Sequence, residues 1–223
     1  MHHLGYMKIA ILGGTGDIGE GFALNWAGNH HIRIGSRKAD KAEAAAESYR
    51  GTLADQGLEG NILGFDNMTA AEGADVIILT VPHEHVSGMI DTVRPVLDRQ
   101  IIISPVVPMT KSEYFEYIPP MQGSAAEEIR EMLPEGTCVV AAYHTIASGR
   151  LCSLDPAFRC DVLICGDDRH SKDVVIDLTD EIECLRPLDA GPLAAARTIE
   201  SLTPLLLNLA MLNNLKDPSI KIL

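Results

Sequence analysis

Short runs of valine, isoleucine and leucine alternate along the chain with longer segments in which apolar residues recur at helical spacing. The runs predict parallel strands, because strands covered on both faces carry apolar residues at consecutive positions. The predicted strands are 8–12, 31–34, 75–81, 101–104, 138–142, 161–165 and 184–188. The predicted helices are 19–27, 39–49, 84–97, 124–133, 171–182 and 193–213. This order predicts an α/β fold, a Rossmann-like doubly wound sheet with a small C-terminal α/β extension.

Two segments depart from this alternation. Residues 105–123 hold four of the twelve prolines and show no clear period, so we expect a functional loop or lid there. The predicted last helix carries a broad leucine face that is too apolar to lie exposed, so it should pack on the main domain or on another subunit. The face consists of Leu202, Leu205, Leu206, Leu209 and Leu212. A homodimer or higher homo-oligomer is therefore expected.

Composition narrows the class of protein. The 223 residues include 18 Lys+Arg and 31 Asp+Glu, a net charge of −13, which argues against nucleic-acid binding because such proteins cluster basic residues. The apolar runs are shorter than the roughly 18 residues of a membrane span, so no membrane partner is expected. Residues 1–6 lack the apolar core of a signal peptide, and Met7 is a candidate start. The five cysteines include no Cys-x-x-Cys pair and are interpreted as buried or inert cytosolic thiols, so we predict a cytoplasmic protein.

A glycine-rich turn separates the first predicted strand from the first helix. Its Gly14-x-Gly16-x-x-Gly19 spacing, between a strand and a helix, is the dinucleotide-binding fingerprint. Gly14 permits the tight turn, Gly16 lets a pyrophosphate approach the backbone, and Gly19 lets helix and strand pack closely. The helix start, with Asp17 and Ile18, then presents backbone N–H groups and a partial positive charge to the anion.

The end of the second strand distinguishes NADP from NAD. NAD sites place an Asp or Glu there to bind the ribose hydroxyls. This chain instead has Ser36, Arg37 and Lys38, followed by Lys41. A carboxylate would repel a 2′-phosphate, whereas a hydroxyl, a guanidinium and an ammonium would hold it. We therefore predict NADP(H) as a cofactor, the alternative being that the basic residues merely form a solvated helix start.

Eight motifs occur in order along the chain and resemble the NADPH:coenzyme F420 oxidoreductase family. They are 13–16 (GGTG), 36–38 (SRK), 82–85 (PHEH), 104–105 (SP), 144–146 (HTI), 165–168 (CGDD), 186–193 (RPLDAGPL) and 200–205 (ESLTPL). The glycine motif is shared by many enzymes, whereas the last two runs are more particular. The resemblance covers residues 7–223 and includes the closing Ile-Lys-Ile-Leu. One departure is His83, where the family pattern has an aromatic residue.

This resemblance implies an enzyme that passes hydride reversibly between reduced coenzyme F420, a 5-deazaflavin, and NADP+. It also implies a dinucleotide-binding domain (1–146) and a small C-terminal domain (147–223), with the two rings stacked in the cleft between them. His144 and Ile146 are then the residues expected beside the reacting rings, with Ile146 against them. The expected cofactor-binding residues are Gly14, Thr15, Gly16, Asp17, Ile18, Gly19, Ser36, Arg37, Lys41, Val81, Pro82, His85, Arg197, Ser201 and Thr203. Of these, Arg197, Ser201 and Thr203 are assigned with His144 and Ile146 to the deazaflavin pocket.

The residues agree with such chemistry. Hydride passes from carbon to carbon, so the protein mainly aligns the two rings at about 3–3.5 Å and needs no general acid or nucleophile. His83 and His85 lack a third ligand nearby in sequence, so no metal site is expected. His144 and Ile146 are also compatible with ordinary core positions.

Two other functions stay open at the level of sequence. One is an NADP-dependent reductase of a small imine or β-hydroxyacid, although such enzymes usually add a long helical domain and only about 80 residues follow His144. The other is a non-catalytic NADP-binding module, which would have lost the second pocket, whereas Arg197, Ser201 and Thr203 are present.

Overall fold

The computed structural model describes residues 5–152 and 160–223, apart from the side chains of residues 150 and 152. Most of the predicted N-terminal extension and the Cys152 thiol thus lie outside the described residues. The strands are β1 (Lys8–Leu12), β2 (His31–Ser36), β3 (Asn61–Asp66), β4 (Val76–Leu79), β5 (Ile101–Ser104), β6 (Met109–Lys111), β7 (Phe115–Tyr117), β8 (Cys138–Ala141), β9 (Cys160–Gly166) and β10 (Leu185–Asp189). The helices are α1 (Asp17–Trp26), α2 (Ala39–Asp55), α3 (Asn67–Ala71), α4 (Val86–Val93), α5 (Ala125–Met132), α6 (Ser148–Cys152), α7 (Arg169–Asp180) and α8 (Ala196–Asn213).

An eight-stranded sheet runs in the order β10-β9-β8-β5-β4-β1-β2-β3. The neighbours from β3 to β8 are parallel, which confirms the doubly wound α/β architecture. β9 pairs antiparallel with β8, and β10 pairs parallel with β9. The C-terminal extension therefore continues the main sheet, and the domain boundary after residue 146 stays a prediction.

Consecutive residues of the central strands are buried in opposite layers, which explains their unbroken apolar runs. Ile9 and Ile11 of β1 belong to the core shared with α1, α2 and α7, whereas Ala10 and Leu12 belong to the core shared with α3, α4 and α5. Along the described part of the chain, we find no helix with both the length and the apolar character needed to cross a membrane.

Several elements differ from the predicted ones. β3, α3 and the short α6 have no predicted counterpart. In the edge strand β3 only Ile62 is buried, and its sequence Asn-Ile-Leu-Gly-Phe-Asp has neither an unbroken apolar run nor a strict alternation. Its Gly64 packs so closely on α2 that a Cβ there would stand 2.2 Å from the Glu43 nitrogen. Residues 105–123, predicted as an irregular loop, contain the antiparallel hairpin β6–β7.

The last helix is buried mainly in its first half. Ala196, Ile199, Glu200 and Pro204 are buried, but beyond Pro204 the leucine face meets solvent. Its exposed residues include Leu205 (53%), Leu209 (41%) and Leu212 (61%). The main domain thus leaves much of the leucine face exposed, with Leu202 and Leu206 half-buried. Of the two expected partners, the second subunit stays a prediction.

Candidate functional site

The strand order reverses between β1 and β4. From β1 the chain builds β2 and β3 on one side of the sheet, and β4, β5 and β8 lie on the other. In open α/β sheets, ligands bind in the crevice beyond the carboxyl ends of the strands at such a reversal. The segments that follow β1, β4, β5 and β8 therefore form the candidate site.

The glycine turn after β1 has the geometry that dinucleotide binding requires. A Cβ on Gly14 would lie 2.7 Å from the Ile11 carbonyl oxygen, and one on Gly19 would lie 2.3 Å from the Gly14 oxygen. Both positions thus exclude any side chain. At Gly16 a Cβ would meet nothing within 4 Å, so this side of the turn is open. The roles predicted for the three glycines agree with these distances, and Gly13, at φ +74°, adds a left-handed residue to the turn.

The first turn of α1 begins at this open side. Gly16 is its N-cap and supplies no side-chain hydrogen bond, and Thr15 and Asp17 beside it are exposed. The partial positive charge at the start of α1 therefore faces the open space beside Gly16. Ile18, the second residue of the helix, lines the neighbouring cleft.

A basic cluster lies at the carboxyl end of β2. Ser36 is buried at 8% exposure, while Arg37, Lys38 and Lys41 are exposed around the first turn of α2. In the described ranges, none of these three cations forms an ion pair with a carboxylate. Because β2 ends on Ser36 and not on an acidic residue, this end of the strand favours the 2′-phosphate of NADP over the free ribose hydroxyl of NAD.

A cleft of about 1040 Å³ opens beside the glycine turn. Its walls come from α1, from the segments after β4, β5 and β8, and from the second half of α8 and the residues after it. Of the predicted site residues, those that line it are Ile18, Val81, Pro82, His144, Ile146 and Thr203. The lining is mainly apolar, which suits flat aromatic rings. A second hollow of about 450 Å³ lies where β3 begins, and the predicted site residues do not line it.

His144 is buried at 5% exposure on the cleft wall. Neither ring nitrogen has a hydrogen-bond partner, and burial lowers the pKa of His144 to about 3, so the ring is neutral at physiological pH. The backbone is fixed, because the His144 carbonyl accepts a hydrogen bond of 2.7 Å from the Thr203 hydroxyl on α8. Unpartnered buried nitrogens are rare in folded proteins, and a contact between this ring and a ligand stays a prediction.

The residue before His144 has an unusual backbone conformation that the sequence did not suggest. Tyr143 has φ +67°, which is uncommon for a residue with a large side chain. Its ring is held edge-on by Phe22 at 4.8 Å, and its hydroxyl lies 2.6 Å from the Thr179 hydroxyl. Packing of α1 and α7 therefore fixes the turn that carries His144 and Ile146 to the cleft.

Ile146 combines the two roles that the sequence left open. It is 6% exposed and belongs to the main core, and it also lines the cleft. As a β-branched residue with restricted rotamers it provides a stiff apolar wall. Its position against the rings stays a prediction.

Apart from the residues of the glycine turn and of the end of β2, three predicted site residues do not line the cleft. Arg197 forms a two-pronged ion pair with Glu127 at 2.7 and 2.8 Å, Ser201 donates to the Thr198 carbonyl, and His85 is exposed with its nearest carboxylate 3.7 Å away. Their assignment to cofactor binding rests on the resemblance alone. His83 does line the cleft, and its Nε2 lies 2.6 Å from Glu128 on α5.

A buried carboxylate network ties the hairpin to α5 and α8. Glu200, fully buried, accepts hydrogen bonds from the Ala125 and Ala126 backbone and from the Tyr117 hydroxyl. Burial raises the pKa of Glu200 to about 7, although the three donors oppose this. Asn208 of α8 also bonds the Phe115 backbone twice at 2.8 Å. The segments flanking the hairpin line the cleft, so this network positions part of the site.

Comparisons with known proteins agree with this geometry. The family described as coenzyme F420-dependent NADP oxidoreductases matches residues 8–108. An F420-dependent NADP reductase of Methanocaldococcus jannaschii is 41% identical over 219 residues, which are 97% of this chain and 98% of that protein. The chain belongs to the F420-dependent NADP reductase family. A member from Methanothermobacter marburgensis is 37% identical over 97% of this chain and 98% of its own length.

Solved structures with lower identity share the fold. A crystal structure of an Arthrobacter sp. FB24 protein has a TM-score of 0.81 at 23% identity and covers 97% of this chain and 99% of its own. A pyrroline-5-carboxylate reductase from Coxiella burnetii has a TM-score of 0.55 at 16% identity. The match covers 82% of this chain and 59% of the Coxiella protein.

The residues present fit the two cofactors used in this family. The open side at Gly16 and the uncapped helix start leave room for a pyrophosphate, and the cations after Ser36 suit a 2′-phosphate. The apolar cleft, lined by His144 and Ile146 among others, suits stacked rings.

Proposed function

We infer that this member of the F420-dependent NADP reductase family transfers hydride reversibly between reduced coenzyme F420 and NADP+. The observation that carries this inference is that a dinucleotide-binding glycine turn lies next to a large, mainly apolar cleft in the same chain. The near full-length identity with reductases of the same name supports it. When bound, the nicotinamide and the deazaflavin supply the carbon atoms between which the hydride moves.

The proposed role of the first half of the chain is to bind and orient NADP(H). Gly14, Gly16 and Gly19 shape the turn, and the backbone N–H groups at the start of α1 hold the pyrophosphate. Ser36, Arg37 and Lys41 hold the 2′-phosphate, with Thr15 on the open side of the turn. Val81 and Pro82, which follow β4 and line the cleft, bound the space for the nicotinamide.

Ring alignment is the proposed role of the segment after β8. Ile146 forms a stiff wall behind the stacked rings, and His144, neutral because of burial, offers polar contacts without adding charge. Thr203 fixes the His144 carbonyl and thereby joins α8 to this wall. Since the transfer rate depends steeply on ring separation, fixed walls matter more here than proton-transferring groups.

The predicted assembly and location follow as further proposals. A homodimer, or a higher homo-oligomer, would cover the exposed Leu205, Leu209 and Leu212 of α8. A cytoplasmic location suits Cys138, Cys160 and Cys165, which are free thiols. Residues 1–146 are proposed as the NADP-binding domain, and residues 147–223 as the small C-terminal domain that closes the deazaflavin cleft.

An absorbance assay tests the proposed reaction. Purified protein is mixed with oxidised F420 and NADPH, and loss of the visible deazaflavin band is followed, with NADH, FMN and a panel of small imines as comparison substrates. We expect bleaching with NADPH and F420 and little with the other pairs. Imine reduction in the absence of F420 activity would contradict the proposal, and binding of NADPH without any turnover would favour the binding-module alternative.

A further inference from the structure

The residues that follow α8, 214–223, which we call the closing segment, are held by side chains that the proposed function does not use. The anchor is Asp161 in β9, which is 1% exposed. Its two carboxylate oxygens accept hydrogen bonds of 2.7 Å each from Nε and Nη2 of Arg186 in β10. The Arg186 fork lowers the pKa of Asp161, so the carboxylate is ionised at neutral pH.

The closing segment bonds to this pair along its length. The Asp161 backbone N–H donates to the Ile220 carbonyl at 2.8 Å, and the Ile222 N–H donates to the Asp161 carboxylate at 2.5 Å. Arg186 also donates to the Ile222 carbonyl. One step earlier, the Ser219 hydroxyl lies 2.9 Å from the Cys160 sulfur. The segment is thus attached at three successive places to the beginning of β9.

This attachment lies at the ligand edge of the sheet. Because β9 runs antiparallel to β8, its first residues lie beyond the carboxyl ends of the parallel strands. Immediately before the attached residues, Leu215, Asp217 and Pro218 line the 1040 Å³ cleft. The Asp217 carboxylate also packs on α6, since a Cβ on Gly149 would lie 3.0 Å from its oxygens. The closing segment therefore forms a wall of the cleft between α8 and β9.

The Asp161–Arg186 ion pair is better suited to fixing the position of the closing segment than to stabilising the fold. A buried carboxylate loses its hydration, and an ion pair that compensates this loss is often no more stabilising than packed apolar residues. A two-pronged arginine–carboxylate contact, however, fixes direction as well as distance. Here the same carboxylate and the same guanidinium each bond the backbone of Ile222.

We propose that Asp161 and Arg186 are positioning residues for F420 binding, which hold the closing segment so that Leu215, Asp217 and Pro218 form a fixed wall against the deazaflavin. Neither residue lines the cleft, so both act through the segment. The inference rests on the proposed function and extends it to the run 186–193, which the proposed cofactor contacts leave unexplained.

Two variants test the inference. Deletion of 220–223 removes the backbone groups that the pair holds, and Arg186→Lys keeps the charge beside Asp161 but removes the two-pronged geometry. Dissociation constants for F420 and for NADP+ are measured by fluorescence titration of the wild-type enzyme and of each variant, together with thermal melting. We expect the F420 constant to rise about tenfold or more in both variants and the NADP+ constant to stay within twofold, because the proposed phosphate contacts lie at α1 and β2.

A matched control is available on the same strand. Asp189→Asn breaks the ion pair with Lys172, 2.8 Å long, at the other end of β10. It should leave both dissociation constants at wild-type values even if it lowers the melting temperature. Hydrogen exchange should be faster at 214–219 in the two test variants and unchanged there in the control.

The outcomes distinguish a failure of the proposed function from a failure of the positioning role. Absence of F420 binding by the wild-type protein would contradict the proposed function. If the wild-type protein binds F420 and both variants bind it with dissociation constants within twofold of the wild-type value, the positioning role is overturned. It is also overturned if the variants bind F420 and NADP+ more weakly to the same extent, in parallel with a loss of thermal stability. If the deletion variant does not fold, Arg186→Lys decides the question by the same criteria.

Discussion

Glu200 provides a sharp test of how the hairpin is attached to the cleft. Its carboxylate is fully buried at the start of α5 and bonds Tyr117 from the hairpin. Burial raises the pKa of Glu200 from 4.5 to about 7. Between these values the folded protein binds a proton that the unfolded chain has released. The stability that this proton contributes is therefore fully present below pH 4.5 and is lost as the pH rises through 7.

The magnitude follows from the size of the shift. Each unit of pKa difference corresponds to about 1.4 kcal/mol, so the free energy of unfolding should fall by about 3 kcal/mol between pH 4.5 and pH 7 because of this group. For a chain of this length, that corresponds to about 6–12 °C in melting temperature. In Glu200→Gln the group no longer titrates, so this part of the pH dependence should disappear.

Thermal melting of the two proteins from pH 5 to pH 8 measures the effect. The wild-type melting temperature should fall relative to that of Glu200→Gln as the pH rises. The exposed Glu47 on α2 supplies the control, since Glu47→Gln should follow the wild-type curve. If wild type and Glu200→Gln keep a constant difference over the whole range, Glu200 does not titrate between these pH values and the reasoning from burial is refuted.

Three further outcomes are expected. Arg37→Ala should raise the KM for NADPH about 10- to 100-fold by loss of a charge-assisted phosphate contact, with little change for NADH, and equal effects on both would contradict the 2′-phosphate assignment. Ile146→Gly should slow single-turnover hydride transfer, measured by stopped-flow absorbance, more than it weakens cofactor binding, while Ile146→Val should leave the rate nearly unchanged. A normal rate in folded Ile146→Gly would make Ile146 an ordinary core residue. Sedimentation should show an oligomer at micromolar concentration that Leu205→Glu with Leu209→Glu dissociates, and a wild-type monomer would refute the proposed interface.

Local sequence determined much of the fold and the first half of the site. The central strands are buried on both faces, so their apolar runs identify them without knowledge of their neighbours. The glycine turn is similarly local, because Gly14 and Gly19 contact residues within a few positions of themselves or of each other. The preference for NADP over NAD rests on Ser36 and Arg37, which follow directly from the end of a predicted strand.

Tertiary structure decided where contacts join distant parts of the chain. The edge strand β3 could not be recognised, because its sequence has no regular apolar pattern and its place is set by pairing with β2 and packing on α2. The partner of Arg197 is Glu127, 70 positions away, and Asp161 meets Ile222, 61 positions away. Such pairings depend on how helices and strands are placed in space. A local pattern identifies a charged residue as available for binding, but only the packed fold determines which group it binds.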